Sequence, residues 1–204
     1  MYIYIEKDER QILTKVCEEI ILNVQNEVKE YFSFDFRLIG SGEKRLLTKN
    51  GESGEFDLDY NIFLQKDKKN LLSSPDKIKQ IFLNAFNNVN SEYGFKYAQD
   101  STSVITSKLL YDNKLYFSFD VAIIKEGNNG NYYKLIFDKF SNRYIWNEVK
   151  QSKDYMLKFK VIKEKGYWLL FKKRYLELKN MHLRRNDQTR SFSIFLETIN
   201  EFYK

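Results

Sequence analysis

From Asp8 to Tyr31, apolar residues return at every fourth position. Ile12, Val16, Ile20, Val24 and Val28 form one stripe, with Leu13, Cys17 and Ile21 beside it. That spacing predicts a long amphipathic helix and makes Cys17 a buried, inert thiol rather than a nucleophile. Phe34 to Ile39 then reads as a strand ending at Gly40-Ser41-Gly42. A short helix is expected from Glu43 to Leu47, and Lys49 to Gly54 has loop chemistry. Phe56 to Leu64 alternates, with Phe56, Leu58, Tyr60 and Ile62 on one side and Asp57, Asp59 and Asn61 on the other, as in a strand with one wet face.

Pro75 opens a helix to Asn90, whose buried face is Ile78, Ile81, Phe82, Ala85, Phe86 and Val89. Strands follow at Ser103 to Tyr111, Lys114 to Ile124 and Tyr132 to Phe137. Asp112-Asn113 makes a tight turn between the first two, and Gly127 to Gly130 leads into the third. From Tyr144 the pattern is read as helical: Tyr144 to Gln151, Lys153 to Lys165, Tyr167 to Met181 and Ser191 to Tyr203. Strands in the first two-thirds and helices in the last give an α+β, or mixed-sheet α/β, organisation. The expected partition is a domain over residues 1–140 and a helical C-terminal region over 141–204 packed on it.

Composition narrows the class. Apolar residues make up 43% of the 204, including 17 Phe and 15 Tyr, enough for a packed core and against wholesale disorder. No run approaches the ~18 apolar residues of a membrane span. The N-terminus lacks the pattern of a secretory signal, and the single cysteine excludes an internal disulfide framework. The expectation is a soluble, cytoplasmic protein. A net charge of +6, from 34 Lys and Arg against 28 Asp and Glu, leans towards a polyanionic partner such as an NTP or RNA.

The chemistry concentrates at Asp57-Leu58-Asp59. Residues two apart on a strand share a face, so both carboxylates project together and repel each other unless a cation lies between them. Half burial of the strand raises that cost, and magnesium relieves it by taking carboxylate oxygens while leaving positions for phosphates. Asp120 sits within the apolar strand Leu115 to Ile124 and needs a partner of its own. If its strand neighbours Asp57 and Asp59, the acids could hold two metal ions about 3.5–4 Å apart. Upstream, Gly40-Ser41-Gly42 at a strand end can point backbone N–H groups and a hydroxyl at a phosphate chain, with Lys44 and Arg45 adding positive charge.

Gly40-Ser41 at a strand-to-helix turn, Asp57-Leu58-Asp59 on the next strand and Asp120 on a later one resemble the pattern of the polymerase-beta-type nucleotidyltransferase superfamily. The resemblance covers about Phe34 to Ile124; the interval from Ser41 to Asp57 is longer than is usual there. It implies a polymerase-beta-like sheet with flanking helices and a two-metal site for Mg2+, with Mn2+ as substitute. Asp57, Asp59 and Asp120 would be the metal-binding and catalytic acids. Gly40, Ser41, Lys44 and Arg45 would bind the nucleotide. The implied reaction moves an NMP from an NTP to an acceptor hydroxyl on RNA (including tRNA), protein or another nucleotide, releasing pyrophosphate. The alternatives are an inactive nucleotide- or RNA-binding module and an antibiotic-type transferase acting on a small molecule. The former has no use for the mutual repulsion of three acids, and the latter would favour an acidic pocket.

The C-terminal third carries Lys172, Lys173, Arg174, Lys179, Arg184, Arg185 and Arg190. On its helix, Trp168, Leu169, Phe171, Tyr175, Leu176 and Leu178 are expected to supply apolar contacts, leaving Lys172, Lys173 and Lys179 largely outside. As a group these cations suit a triphosphate or an RNA backbone. His182 is read as a helix-terminal dipole partner or a surface residue rather than a catalytic group.

Overall fold

The computed structural model of the protein describes residues 1–52, 54–149 and 154–203. In chain order the first elements are β1 (Tyr2–Tyr4), α1 (Lys7–Glu27), β2 (Phe32–Ile39), α2 (Gly40–Glu43), β3 (Thr48–Asn50), β4 (Phe56–Asp67) and α3 (Pro75–Asn90). They are followed by β5 (Gln99–Asp100), β6 (Ile105–Tyr111), β7 (Lys114–Glu126), β8 (Tyr132–Asp138), β9 (Arg143–Glu148), α4 (Asp154–Glu164), α5 (Trp168–Arg184) and α6 (Ser191–Phe202). Contacts divide the chain into two compact units. One comprises Ile5–Leu47 and Gly54–Val149, the other Met1–Tyr4, Thr48–Ser53 and Lys150–Lys204.

The larger unit is a mixed sheet with helices, as the α+β pattern implies. Its strand order is β2-β4-β7-β6-β5, with β8 pairing β7 and β9 pairing β8. The β4–β7 pair is parallel, and the other pairs in this sheet are antiparallel. Helix α3 lies between β4 and β7 in sequence, supplying the crossover that a parallel pair requires. One sheet face is apolar: Leu58, Tyr60, Ile62, Phe117, Phe119 and Val121 are buried in a single core with Cys17, Ile20 and Val24 of α1 and Ile78, Phe82 and Phe86 of α3. Phe82 packs on Phe32 at 5.8 Å and on Phe34 at 5.7 Å between ring centroids, and Phe86 meets Phe119 at 6.2 Å. Each such side chain contributes about 1.5–3 kcal/mol on burial. Cys17 is fully buried, and its thiol is pushed well above its ordinary range, chiefly by that burial.

Several expectations are corrected. Residues 143–148 form strand β9 rather than the start of a helix, with Tyr144, Ile145 and Trp146 opposite Phe137, Ile136 and Leu135. Aromatic and β-branched side chains favour a pleated edge, and the Tyr144 N–H is further engaged by Asp76 Oδ1 at 2.9 Å. The sheet therefore extends past residue 140, where the helical region was expected to begin. The helix expected at Glu43 to Leu47 instead occupies Gly40–Glu43, while Lys49 and Asn50, read as the start of a loop, belong to strand Thr48–Asn50, which pairs with the unforeseen β1. Gln151 and Lys153, expected helix ends, and Ser53 of the expected loop lie outside the described residues.

In the smaller unit, α4, α5 and α6 pack through Phe159, Phe171 and Phe195, with ring centroids 5.0–5.9 Å apart. Lys179 is buried rather than outside: its Nζ donates to Thr48 Oγ1 at 2.7 Å and sits 4.2 Å from the Tyr2 ring. Lys172 covers the Tyr4 ring at 4.2 Å, and Arg174 is held by Glu201 at 2.6 Å. Leu169, expected inside, is 78% exposed, because helical spacing puts it opposite the buried face of α5 formed by Phe171, Tyr175 and Leu178. His182, in the last turn of α5, has Asp187 at 2.8 Å from Nδ1 and Glu197 at 3.0 Å from Nε2. No helix among the described residues is long and apolar enough to cross a membrane.

Candidate active site

Alternation along β4 buries Phe56, Leu58, Tyr60 and Ile62 and turns Asp57, Asp59 and Asn61 to the opposite face. The parallel register sets Asp57 opposite Ser118 and Asp59 opposite Asp120, so the three acids share the face away from the core. Strand β2 ends beside them, its last residue, Ile39, pairing with Asp59. The chain then turns through Gly40 at φ +68°, in the left-handed region that favours glycine. A Cβ there would stand 2.6 Å from Asp59 Oδ2, and one on Gly42 would stand 2.7 Å from Leu58 Cδ2. A Cβ at either position would therefore force a β4 side chain to shift, and at Gly40 the backbone conformation disfavours it as well.

Lys44 follows the turn. Its Nζ donates to Gly40 O at 3.2 Å and lies 3.3 Å from Glu43 Oε2. The Asp59 carboxyl is pushed up to about 6, first by burial, then by the charges of Asp57 and Asp120, while Lys134 and Lys44 pull it back. Lys134 on β8 is opposite Ile124, which puts it on the acid face. Burial lowers its pKa, against the attraction of Asp59 and Asp120. On the far side of Asp120, Thr106 of β6 is its direct cross-strand neighbour, and the Thr106 hydroxyl donates to Asp120 Oδ1 at 2.6 Å.

Gly40, Asp57, Asp59, Asp120 and Lys44 are therefore assembled at one end of the β2-β4-β7 sheet, and Ser41 sits in the same turn. Arg45 goes elsewhere. At φ +56° it lines a cavity of about 300 Å3 with Arg10, Gln11, Thr14, Lys15, Leu38, Gly42 and Glu43, a lining that includes none of the three acids. Thr106 and Lys134 were not anticipated. Their signal was present only as polar positions in otherwise apolar strands, which acquire meaning once pairing is known.

The donor set suits a hard divalent cation: carboxylate oxygens on one face, with Asp59 raised by burial and then by its acidic neighbours. Among the described residues, the side chains are not drawn together into a group of three that encloses a metal ion. The residues fit such an ion by chemistry and by placement on the sheet.

No family model and no curated protein sequence matches the chain. Solved structures do. The 3'-deoxy ATP-bound form of Vibrio cholerae DncV superposes with a TM-score of 0.70 over 97% of this chain and 67% of its own, at 11% identity. A second DncV structure, described as a cyclic AMP-GMP synthase and prokaryotic cGAS homolog, gives 0.54 over 74% of this chain and 55% of its own, at 10% identity. The Bradyrhizobium diazoefficiens CD-NTase CdnG, in complex with GTP, gives 0.51 over 86% of this chain and 44% of its own, at 13% identity. The chain thus spans from under half to about two thirds of the length of these three structures. At these identities the likeness is one of fold: the chain has the mixed α/β architecture of the DncV and CD-NTase nucleotidyltransferase structures.

Proposed function

We propose that the protein is a metal-dependent nucleotidyltransferase that moves an NMP from an NTP to a hydroxyl acceptor, and that the acceptor is a second nucleotide. The observation that carries this reading is the register of Asp59 against Asp120, with Asp57 two residues away on the same face and the Gly40 turn pressed against Asp59. Its support from fold is the likeness to DncV, described as a cyclic AMP-GMP synthase, and to CdnG bound to GTP.

Asp57, Asp59 and Asp120 would hold Mg2+, as two ions, or Mn2+ in its place. The metal would supply charge neutralisation at the triphosphate and would lower the pKa of the attacking hydroxyl. The turn at Gly40-Ser41 and the Lys44 ammonium bind the β- and γ-phosphates, and Lys134 adds a cation on the acid face. The acceptor oxygen forms a bond to the α-phosphorus as the bond to the bridging oxygen breaks. Pyrophosphate leaves with that electron pair, and the acceptor proton passes to Asp120 Oδ2. Catalysis comes from alignment and electrostatics, not from a covalent enzyme intermediate.

The test is to incubate the protein with pairs of α-labelled NTPs and Mg2+ or Mn2+, then treat the products with phosphatase. Label in a small, phosphatase-resistant product supports a nucleotide acceptor. Label in added RNA or protein retains the transferase but overturns that choice of acceptor. No label in any product, despite metal-dependent NTP binding, overturns the transferase.

A further inference from the structure

The Asp120 carboxylate is held by a side chain that the proposed chemistry does not itself require. Thr106 Oγ1 donates to Asp120 Oδ1 at 2.6 Å, and Thr106 has a buried residue on either side of it, Ile105 and Ser107. Ser101 Oγ lies 3.4 Å from Thr106 Oγ1. With the Thr106 proton committed to the carboxylate, Ser101 is the donor in that contact, giving a short relay from Ser101 through Thr106 to Asp120.

The start of the relay is fixed from α3. Lys79, only 3% exposed, donates to Val104 O at 2.8 Å and Ser101 O at 3.3 Å. It also pairs with Asp100 at 3.0 Å and lies 5.0 Å from the Tyr144 ring. A buried ammonium with this many acceptors does not belong to a solvated surface. It clamps both ends of the turn that delivers Thr106 to β7. The Ser101 N–H to Val104 O bond at 3.1 Å closes the same turn.

We infer that Thr106 is a positioning residue for the proposed transfer: its hydroxyl, held in place by the Lys79-clamped turn at 101–104, fixes one oxygen of Asp120 and leaves the other directed to metal and acceptor. The inference rests on the reading of Asp120 as a catalytic acid. A carboxylate fixed by one hydroxyl keeps a single orientation, whereas an untethered one rotates about its last bond and presents productive geometry for only part of the time. Threonine suits the position twice over, as a β-branched strand residue and as a donor at cross-strand distance.

The test compares Thr106→Val, which keeps the shape and removes the hydroxyl, with Thr106→Ser, which keeps the hydroxyl. Mn2+ binding to the nucleotide-free protein, followed by electron paramagnetic resonance, is measured beside steady-state transfer of α-labelled NTP. Thr106→Val is expected to weaken Mn2+ affinity about 3–10-fold and lower kcat about 10–100-fold, the loss seen when a metal ligand's supporting group is removed, with KM for NTP changed less than about 3-fold. Thr106→Ser should stay within about 3-fold of wild type in both. A wild-type kcat and Mn2+ affinity in Thr106→Val, in a protein that Asp120→Asn inactivates, overturns the positioning role and leaves the transferase standing. Equal losses in the Val and Ser variants overturn it too, since packing rather than the hydroxyl would then be at work. Active wild type with an unimpaired Asp120→Asn would remove the catalytic acid and the inference with it, as would a wild type that transfers nothing.

Discussion

Asp59 and Asp120 face each other across a parallel strand pair, two register steps from the point where Asp57 meets Ser118. This brings together carboxylates 61 positions apart in sequence without any loop to carry them. Burial first, then the charges of Asp57 and Asp120, raise the Asp59 carboxyl from 3.8 to about 6.

That shift has a definite sign. The folded protein binds the Asp59 proton more tightly than the unfolded chain, so this group's contribution to stability falls as pH rises from 3.8 to 6. At pH 7 the folded state holds a carboxylate that its surroundings disfavour. Asp59→Asn should therefore raise stability at pH 7, by on the order of 1 kcal/mol after solvent screening. The gain should shrink towards pH 4. Thermal unfolding of both proteins across pH 4–8 checks this.

Metal should act in the opposite sense on the wild type. Millimolar Mg2+ or Mn2+ is expected to raise Tm by a few degrees at pH 7, as a ligand bound only by the folded state does. The Asp57→Asn, Asp59→Asn pair should abolish the increase. An unchanged metal-induced shift in that variant would place the cation elsewhere.

Gly40→Ala should injure the site more than the fold. A left-handed conformation costs about 1–2 kcal/mol for alanine, and the added Cβ would meet Asp59 Oδ2 at 2.6 Å. Urea unfolding should register a loss of about that size. Transfer activity should fall further than stability does, because the clash displaces the acid. Gly51, whose Cβ would meet nothing within 4 Å, provides the control for positive φ alone at +72°.

His182 gives the smaller unit a pH response of its own. Hydrogen bonds donated by the ring to Glu197 and Asp187 raise its pKa above 6.5, so its stabilising pairing is fully present below 6.5 and is lost as pH rises through the higher folded value. The Tm difference between wild type and His182→Gln should be larger at pH 5.5 than at pH 9. An equal difference at both would mean that the contacts are made by the neutral ring.

The acid face could be read from sequence because period-two alternation in Phe56 to Leu64 assigns each residue to a side without knowledge of the partner strand. The glycine turn could be read for the same local reason. Pairing could not. The Asp112-Asn113 turn pairs Tyr111 with Lys114 and Leu110 with Leu115, and an uninterrupted hairpin would then set Ile105 against Asp120. An irregularity between Leu109 and Leu110 moves the register by one and delivers Thr106 instead. Strand β9 was missed because Tyr144, Ile145 and Trp146 form a short apolar run whose period is ambiguous, and its identity depends on pairing with β8. Lys179 defeated expectation because its partners, Tyr2 and Thr48, lie more than 130 residues away.

Transfer of a nucleotidyl group by Asp57, Asp59 and Asp120 is read most simply by a paired label experiment. Wild type, Asp57→Asn and Asp120→Asn are each incubated with Mg2+ and an NTP labelled at either the α- or the γ-phosphate. Wild type is expected to carry the α-label into a new product and release the γ-label as pyrophosphate, while both variants leave the NTP intact. Release of the γ-label as inorganic phosphate, or α-label transfer that survives in both variants, would contradict it.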